Sequence, residues 1–75
     1  MPQARYQLRA QDGVIPITEA ELHALGLSSG DTITERDLRS RADQLASRSL
    51  REAIHAMLDQ EPSGVLIRVQ IRDTT

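Results

Sequence analysis

The first half of the chain opens with the hydrophobic pattern of a β-hairpin. Tyr6-Gln7-Leu8-Arg9-Ala10 alternates apolar and polar residues with the period of two that a half-buried strand shows. Val14-Ile15-Pro16-Ile17 has the composition of a return strand, and Asp12-Gly13 between the two is a strong hairpin signal. This pattern predicts that Ala10 pairs with Ile15 and Leu8 with Ile17, on the same face as Tyr6.

Pro16 constrains the hairpin because it has no N–H to give to a strand partner. A two-residue loop would place it where the ladder needs a donor. A four-residue loop, from Gln11 to Val14, turns the missing donor outward, as an edge strand tolerates. We therefore expect the longer loop, with the second strand at an edge of the sheet.

Two stretches carry the residues that begin an α-helix. Thr18 is placed as an N-cap with Glu21 three residues later, which is a capping box, and Gly26 then ends a short helix. Thr34 with Asp37 repeats the same arrangement at the start of a second helix, which we expect to run from about Glu35 to about Asp59.

The apolar stripe of this second helix turns by roughly 100° along its length. Its first part centres on Leu38, Ala42 and Leu45, and its second on Leu50, Ala53, Ile54, Met57 and Leu58. We expect one continuous helix that touches two partners. The alternative is a break near Ser47–Ser49, with Ser49 and Glu52 capping a new helix.

The last element is a strand in which Val65, Ile67, Val69 and Ile71 face the core, followed by a frayed tail at residues 73–75. The elements together predict a single α+β domain over residues 1–75, of the order ββααβ. Its three-stranded antiparallel sheet has the order 2-1-3, with one short and one long helix packed on one face. The outer side of the last strand would then be a free edge.

The composition of the chain also favours self-association. The 75 residues include a single aromatic residue, Tyr6, so the core must be aliphatic and thin. We therefore expect a homodimer. The absence of cysteine fits a reducing, cytoplasmic location, and the sequence shows neither a signal peptide nor a membrane-spanning segment.

Arginines dominate the sheet face that points away from the helices. All nine basic residues of this acidic chain are Arg, and four of them, Arg5, Arg9, Arg68 and Arg72, are predicted to share this face without any acidic residue. The face is either a platform for an anionic partner or a solvated outer surface. An acidic protein fits better than nucleic acid, since no aromatic side chain is there to stack on bases and the pI is near 5.5. The all-arginine set is equally explained by the codon usage of a GC-rich genome.

Metal and catalytic sites have little support in the sequence. Glu52, His55 and Asp59 share one helical stripe, but carboxylate-bridged metal sites take Glu-x-x-His from pairs of facing helices. We therefore interpret the stripe as a polar outer face and His23 as a half-exposed surface residue. The serines occupy turns and caps. We expect no enzyme activity, no cofactor and no metal.

The stretch Gly13-Val14-Ile15-Pro16-Ile17-Thr18-Glu19, with Leu25-Gly26-Leu27-Ser28-Ser29-Gly30-Asp31 after it, is similar to the swapped-hairpin domains of the AbrB and MazE type. Those domains carry G-x-x-x-I-P and then L-G-L-x-x-G-D. The resemblance implies an intertwined dimer that binds DNA as a transcription factor or antitoxin. This chain departs from the pattern at Thr18, where the family has Pro, at Glu19, where it has a basic residue, and after Asp31, where the family continues with strands.

Two functions follow as expectations. The first is a small interaction protein of bacterial or phage type, expected to be homodimeric from its composition, that docks on another protein through the arginine-bearing face or the free strand edge. The alternative is a DNA-binding regulator or antitoxin-like protein. The sequence names no partner and no biological process.

Overall fold

The computed structural model describes residues 3–72, so the expected frayed tail at 73–75 lies outside the described residues. Seven elements follow one another along the chain: β1 (Tyr6–Arg9), β2 (Val14–Ile17), α1 (Glu19–Ala24), β3 (Thr32–Thr34), α2 (Glu35–Ala42), α3 (Arg48–Asp59) and β4 (Leu66–Ile71). The α+β class and the antiparallel sheet predicted from the sequence are confirmed. The counts of three strands and two helices are wrong for the part of the chain that is described.

The sheet has four strands in the order β2-β1-β4-β3, all of them antiparallel. The prediction that β2 is an edge and that the C-terminal strand lies beside β1 is confirmed. The additional strand is Thr32-Ile33-Thr34, in which Ile33 lies opposite Ile67. Three residues are too few to show alternation, although all three are β-branched as strands prefer. Because β3 pairs with Leu66, Ile67 and Arg68, the outer edge of β4 that was predicted to be free is covered along this part of the strand.

The hairpin register differs by two residues from the prediction. Leu8 lies opposite Ile15 and Tyr6 opposite Ile17. Residues 10–13 connect the two strands, and the Ala10 N–H donates to the Gly13 carbonyl at 2.9 Å. A shift of two residues leaves each side chain on its expected face.

Pro16 keeps the orientation that the sequence predicts for it. Since Ala10 and Gly13 form a hydrogen-bonded pair, so do Leu8 and Ile15 two residues further on. Pro16 lies between such pairs, and its nitrogen therefore points away from β1. The predicted loop from Gln11 to Val14 is shifted by one residue along the chain, and its consequence for Pro16 is confirmed.

The turn contacts the C-terminal end of α3 and Glu61, which follows that helix. The Glu61 carboxylate accepts hydrogen bonds from the backbone N–H groups of Asp12, at 3.0 Å, and Gly13, at 2.7 Å. A Cβ on Gly13 would lie 2.9 Å from Cγ of Met57. Gly13 is thus needed for a close approach to α3, and its φ is not in the left-handed region.

Both predicted helix starts are confirmed. The Thr18 hydroxyl accepts from the Glu21 N–H at 3.1 Å, and the Glu21 carboxylate accepts from the Thr18 N–H at 2.9 Å. Gly26 follows α1 with a φ of 71°, and the Leu27 N–H bonds back to the Leu22 carbonyl. At α2, the Thr34 hydroxyl accepts from the Asp37 N–H.

The expected continuous helix from Glu35 to Asp59 is wrong, because it is broken between α2 and α3. The N-cap of α3 is Ser47, whose hydroxyl accepts from the Leu50 N–H at 3.2 Å. The break explains the turn in the apolar stripe. Once the chain reorients, both parts of the stripe contribute to the same core, although Ala53 of the second part is exposed.

The core lies between one face of the sheet and the three helices. Sixteen apolar residues are buried there, and no polar or charged residue in the described part of the chain is buried with them. Leu8 and Val69 lie opposite each other at the centre of the sheet and are almost completely buried. The other face of the sheet carries no helix.

Candidate functional site

The candidate site is the uncovered side of β1 and β4, which we call the arginine face. Its residues alternate with the core residues of the two strands, so each points away from the helices. They are Arg5, Gln7 and Arg9 on or next to β1, and Arg68, Gln70 and Arg72 on or next to β4.

The antiparallel register arranges these six residues in three rows. Arg9 lies opposite Arg68 and Gln7 opposite Gln70. The Arg72 N–H donates to the Arg5 carbonyl at 2.8 Å, which places these two residues opposite each other as well. The structure therefore brings all four predicted site residues together, as two arginine pairs that flank a glutamine pair.

The glutamine row is internally bonded. The side-chain amide of Gln7 donates to the Oε1 atom of Gln70 at 2.8 Å, and both residues are half-buried. This bond leaves an acceptor on Gln7 and donors on Gln70 for a partner.

The positive charge of this face is not balanced locally. Within residues 3–72, no ion pair or side-chain hydrogen bond involves the four arginines, and none of the four strands contains Asp or Glu. Like charges directly opposite each other destabilise a sheet. The net charge of the whole chain is -2, and the acidic residues among those described lie in the helices and in the segments that connect the elements.

Two exposed aliphatic side chains border the Arg9–Arg68 row. Val14 lies directly opposite Arg9 on β2 and is 42% exposed, while Leu66 lies two residues before Arg68 on β4 and is 53% exposed. Thr32 closes the row on the side of β3. The Arg5–Arg72 row has no exposed aliphatic neighbour of this kind among the described residues.

A second polar cluster joins α2 to α3. Arg39 donates to Glu35 at 3.0 Å, to Asp59 at 2.9 Å and to Nδ1 of His55 at 2.9 Å. Since an arginine can only donate, Nδ1 of His55 accepts, which assigns the ring proton to Nε2, and Nε2 lies 2.7 Å from Asp43. The only sign of this cluster in the sequence is the four-residue spacing of Glu35 and Arg39, which can form an ion pair on one helix.

The cluster shifts the pKa values of two of its members, Glu35 and Arg39. The Gly64 N–H and the Arg39 guanidinium hold the pKa of the Glu35 carboxyl below its ordinary value of 4.5. Hydrogen bonds to Asp59 and Glu35 raise the pKa of Arg39. These bonds tie α2, α3 and the turn before β4 to one another.

The Glu52, His55 and Asp59 stripe is divided among different partners. Glu52 pairs with Arg48 at 2.9 Å, while His55 and Asp59 belong to the cluster around Arg39. Residues 3–72 contain no group of three or more His, Cys, Asp or Glu side chains placed to hold a metal ion. His23 is exposed on α1.

Comparisons with known proteins give this chain no relatives. No family model, no curated protein and no solved structure matches it. The segment that resembles the AbrB and MazE type is followed here by the short strand β3 and then by α2 and α3. Across residues 3–72 no helix combines the length and apolar character needed to span a membrane.

Proposed function

We propose that this chain is a non-enzymatic interaction module that docks on an acidic surface of another protein through the arginine face. The observation that carries the proposal is the pair of arginine rows, Arg5–Arg72 and Arg9–Arg68, which oppose like charges and have no anionic neighbour in the sheet. Such an arrangement is stabilised when carboxylates of a partner come between the guanidinium groups.

The non-enzymatic part of the proposal is supported by the hydrogen bonds of His55, which belongs to the polar cluster between α2 and α3. Both of its ring nitrogens are engaged, one with Arg39 and one with Asp43. A general base needs a free nitrogen within reach of its substrate. His55 instead links α2 to α3.

The predicted docking edge on the C-terminal strand is not part of this proposal, because β3 occupies it. Self-association stays a prediction. We also propose a cytoplasmic location, on the ground that the chain has no cysteine.

The proposal is tested by binding of fluorescent poly-L-glutamate, followed by anisotropy at low and high salt. We expect binding that weakens with salt and falls about tenfold or more in Arg9→Gln/Arg68→Gln. The matched control is Arg36→Gln/Arg48→Gln, which removes two exposed arginines from the helices and should bind like wild type.

Two outcomes contradict the proposal. Equal loss in both double variants would mean that the binding is nonspecific attraction to arginine. Tighter binding of a 24-base-pair duplex than of poly-L-glutamate, with a steep salt dependence, would favour the DNA-binding alternative.

A further inference from the structure

The outer edges of the sheet offer little to an added strand. On β2, Pro16 has no N–H, and the N–H of Thr18 is already bonded to the Glu21 carboxylate. On the opposite edge, β3 has three residues and its last, Thr34, is the N-cap of α2. A partner segment therefore cannot gain a row of backbone hydrogen bonds here, and it must bind through side chains on the face of the sheet.

The size of the face limits the partner to a single element. The two arginine rows lie four residues apart, about 13 Å along the strands, and the sheet around the arginine face is about 15 Å wide at the Arg9–Arg68 row, where all four strands lie side by side. An α-helix with its side chains is about 10–12 Å across. A helix also satisfies its own backbone hydrogen bonds, whereas a strand laid across this face would leave its backbone groups unpaired.

The two ends of the face differ in chemistry. The Arg9–Arg68 end is bordered by the exposed side chains of Val14 and Leu66, whereas no exposed aliphatic side chain among residues 3–72 borders the Arg5–Arg72 end in this way. Apolar contacts beside a charge exclude water and strengthen the pairing of that charge with a partner. The first end thus suits a partner that presents aliphatic and acidic side chains together.

From these observations we propose that the occupant of the arginine face is one acidic amphipathic helix of another protein. Its leucine-type residues contact Val14 and Leu66, and its carboxylates pair with Arg9 and Arg68 and reach toward Arg5 and Arg72. This inference rests on the proposed function and specifies the partner for the same site.

The probe is an alanine-based helical peptide of about 18 residues that carries Leu and Glu along one stripe at spacings of three and four. A comparison peptide has the same composition, with the Leu residues distributed around the helix. We expect the stripe peptide to bind the wild-type protein about tenfold more tightly than the comparison peptide.

The variant Val14→Thr/Leu66→Thr removes the aliphatic border while keeping residues that suit strands. We expect it to bind both peptides with the same affinity, and to bind poly-L-glutamate as wild type does. The control is Ile71→Thr, which alters a side chain that is 74% exposed but does not alternate onto the arginine face. It should retain the preference for the stripe peptide.

The outcomes separate a failure of the helix inference from a failure of the proposed function. Equal affinity of wild type for the two peptides, or an unchanged preference in Val14→Thr/Leu66→Thr, overturns the helix inference. The proposed function survives that result if poly-L-glutamate binding still depends on Arg9 and Arg68. If neither the peptides nor poly-L-glutamate bind, both proposals fail, and if duplex DNA binds more tightly than the stripe peptide, the helix is not the occupant.

Discussion

At the scale of single residues, the arginine face holds charges in an arrangement that works against the stability of the sheet. Arg9 and Arg68 are direct cross-strand neighbours, and the next residue in this row beyond Arg68 is Thr32. Opposed like charges on neighbouring strands are unfavourable by roughly 0.2–1 kcal/mol. The free energy of unfolding should therefore rise when one charge of the pair is removed.

We predict that Arg68→Thr stabilises the protein by roughly 0.5 kcal/mol at low salt, because it relieves this repulsion and introduces a β-branched residue. Thermal unfolding in low and high salt measures the effect. The part due to repulsion should shrink in high salt, where charges are screened. Arg36→Gln, on the exposed side of α2, is the control. A destabilised Arg68→Thr would mean that the Arg68 side chain stabilises the isolated protein through packing.

Residue-level signals in the sequence were reliable where the cause was local. The capping residues Thr18 and Thr34 and the terminating Gly26 depend only on neighbours along the chain, and all three are as predicted. Gly13 lies in the turn as predicted, but for a different reason. Its role depends on Met57 and Glu61, which are distant in sequence, and no local pattern contains that contact.

At the scale of elements, the errors come from short segments and from choices that only packing settles. The strand β3 has too few residues to display a period, and it exists because Ile33 pairs with Ile67. The turn in the apolar stripe did indicate that something changes between Leu45 and Leu50. It did not say whether the helix breaks, since a continuous helix with two partners would show the same pattern.

The N-cap of α3 can be tested directly. Ser47→Ala removes the hydroxyl that accepts the Leu50 N–H and should destabilise the protein by about 1 kcal/mol. Thermal or urea unfolding gives the difference. Ser49→Ala lies in the first turn of the same helix without capping it, and it should have little effect. If Ser49→Ala proved the more damaging change, α3 would begin two residues later.

The cluster that joins α2 to α3 and the turn before β4 predicts a pH dependence. Because the pKa of Glu35 is lowered in the folded protein, its contribution to stability is present above about pH 4.5 and is lost as the pH falls through the lowered pKa. Wild type should therefore be more stable than Glu35→Gln at neutral pH, and this difference should narrow below pH 4.5.

Urea unfolding at a series of pH values measures this narrowing. Glu19→Gln, at an exposed position for which residues 3–72 provide no ion-pair partner, is the matched control. A constant difference between wild type and Glu35→Gln across the acid range would show that the bonds from Gly64 and Arg39 do not stabilise the ionised carboxylate.

At the scale of the whole molecule, two surfaces on which a second copy could have docked are already occupied within the chain. The strand edge that a second copy could have used is covered by β3, and the two parts of the apolar stripe both face one internal core. The arginine face disfavours a symmetric contact, since it would bring the same arginines of two copies together. Homodimerisation thus rests on the thin aliphatic composition and on the exposed Ile71 at the end of β4.

Both function proposals require that the core face and the arginine face of the sheet be separate. The strand β4 contributes side chains to each of the two faces. Val69 is 1% exposed and packs on Leu8 at the centre of the sheet, whereas Leu66 on the same strand points to the outer side. Val69→Asp should unfold the domain, because it puts an unpaired charge into the core. Leu66→Asp should remain folded.

Circular dichroism and amide NMR spectra distinguish a folded chain from an unfolded one for both variants. If Leu66→Asp is folded and Val69→Asp is not, the alternation that separates the two faces holds along β4. That result would also make Leu66→Asp a useful test of binding. The new carboxylate lies beside Arg68 and should weaken the binding of acidic probes to the arginine face without altering the core. A folded Val69→Asp would mean that this side of β4 is not the core side, and the arginine face would lose its structural basis.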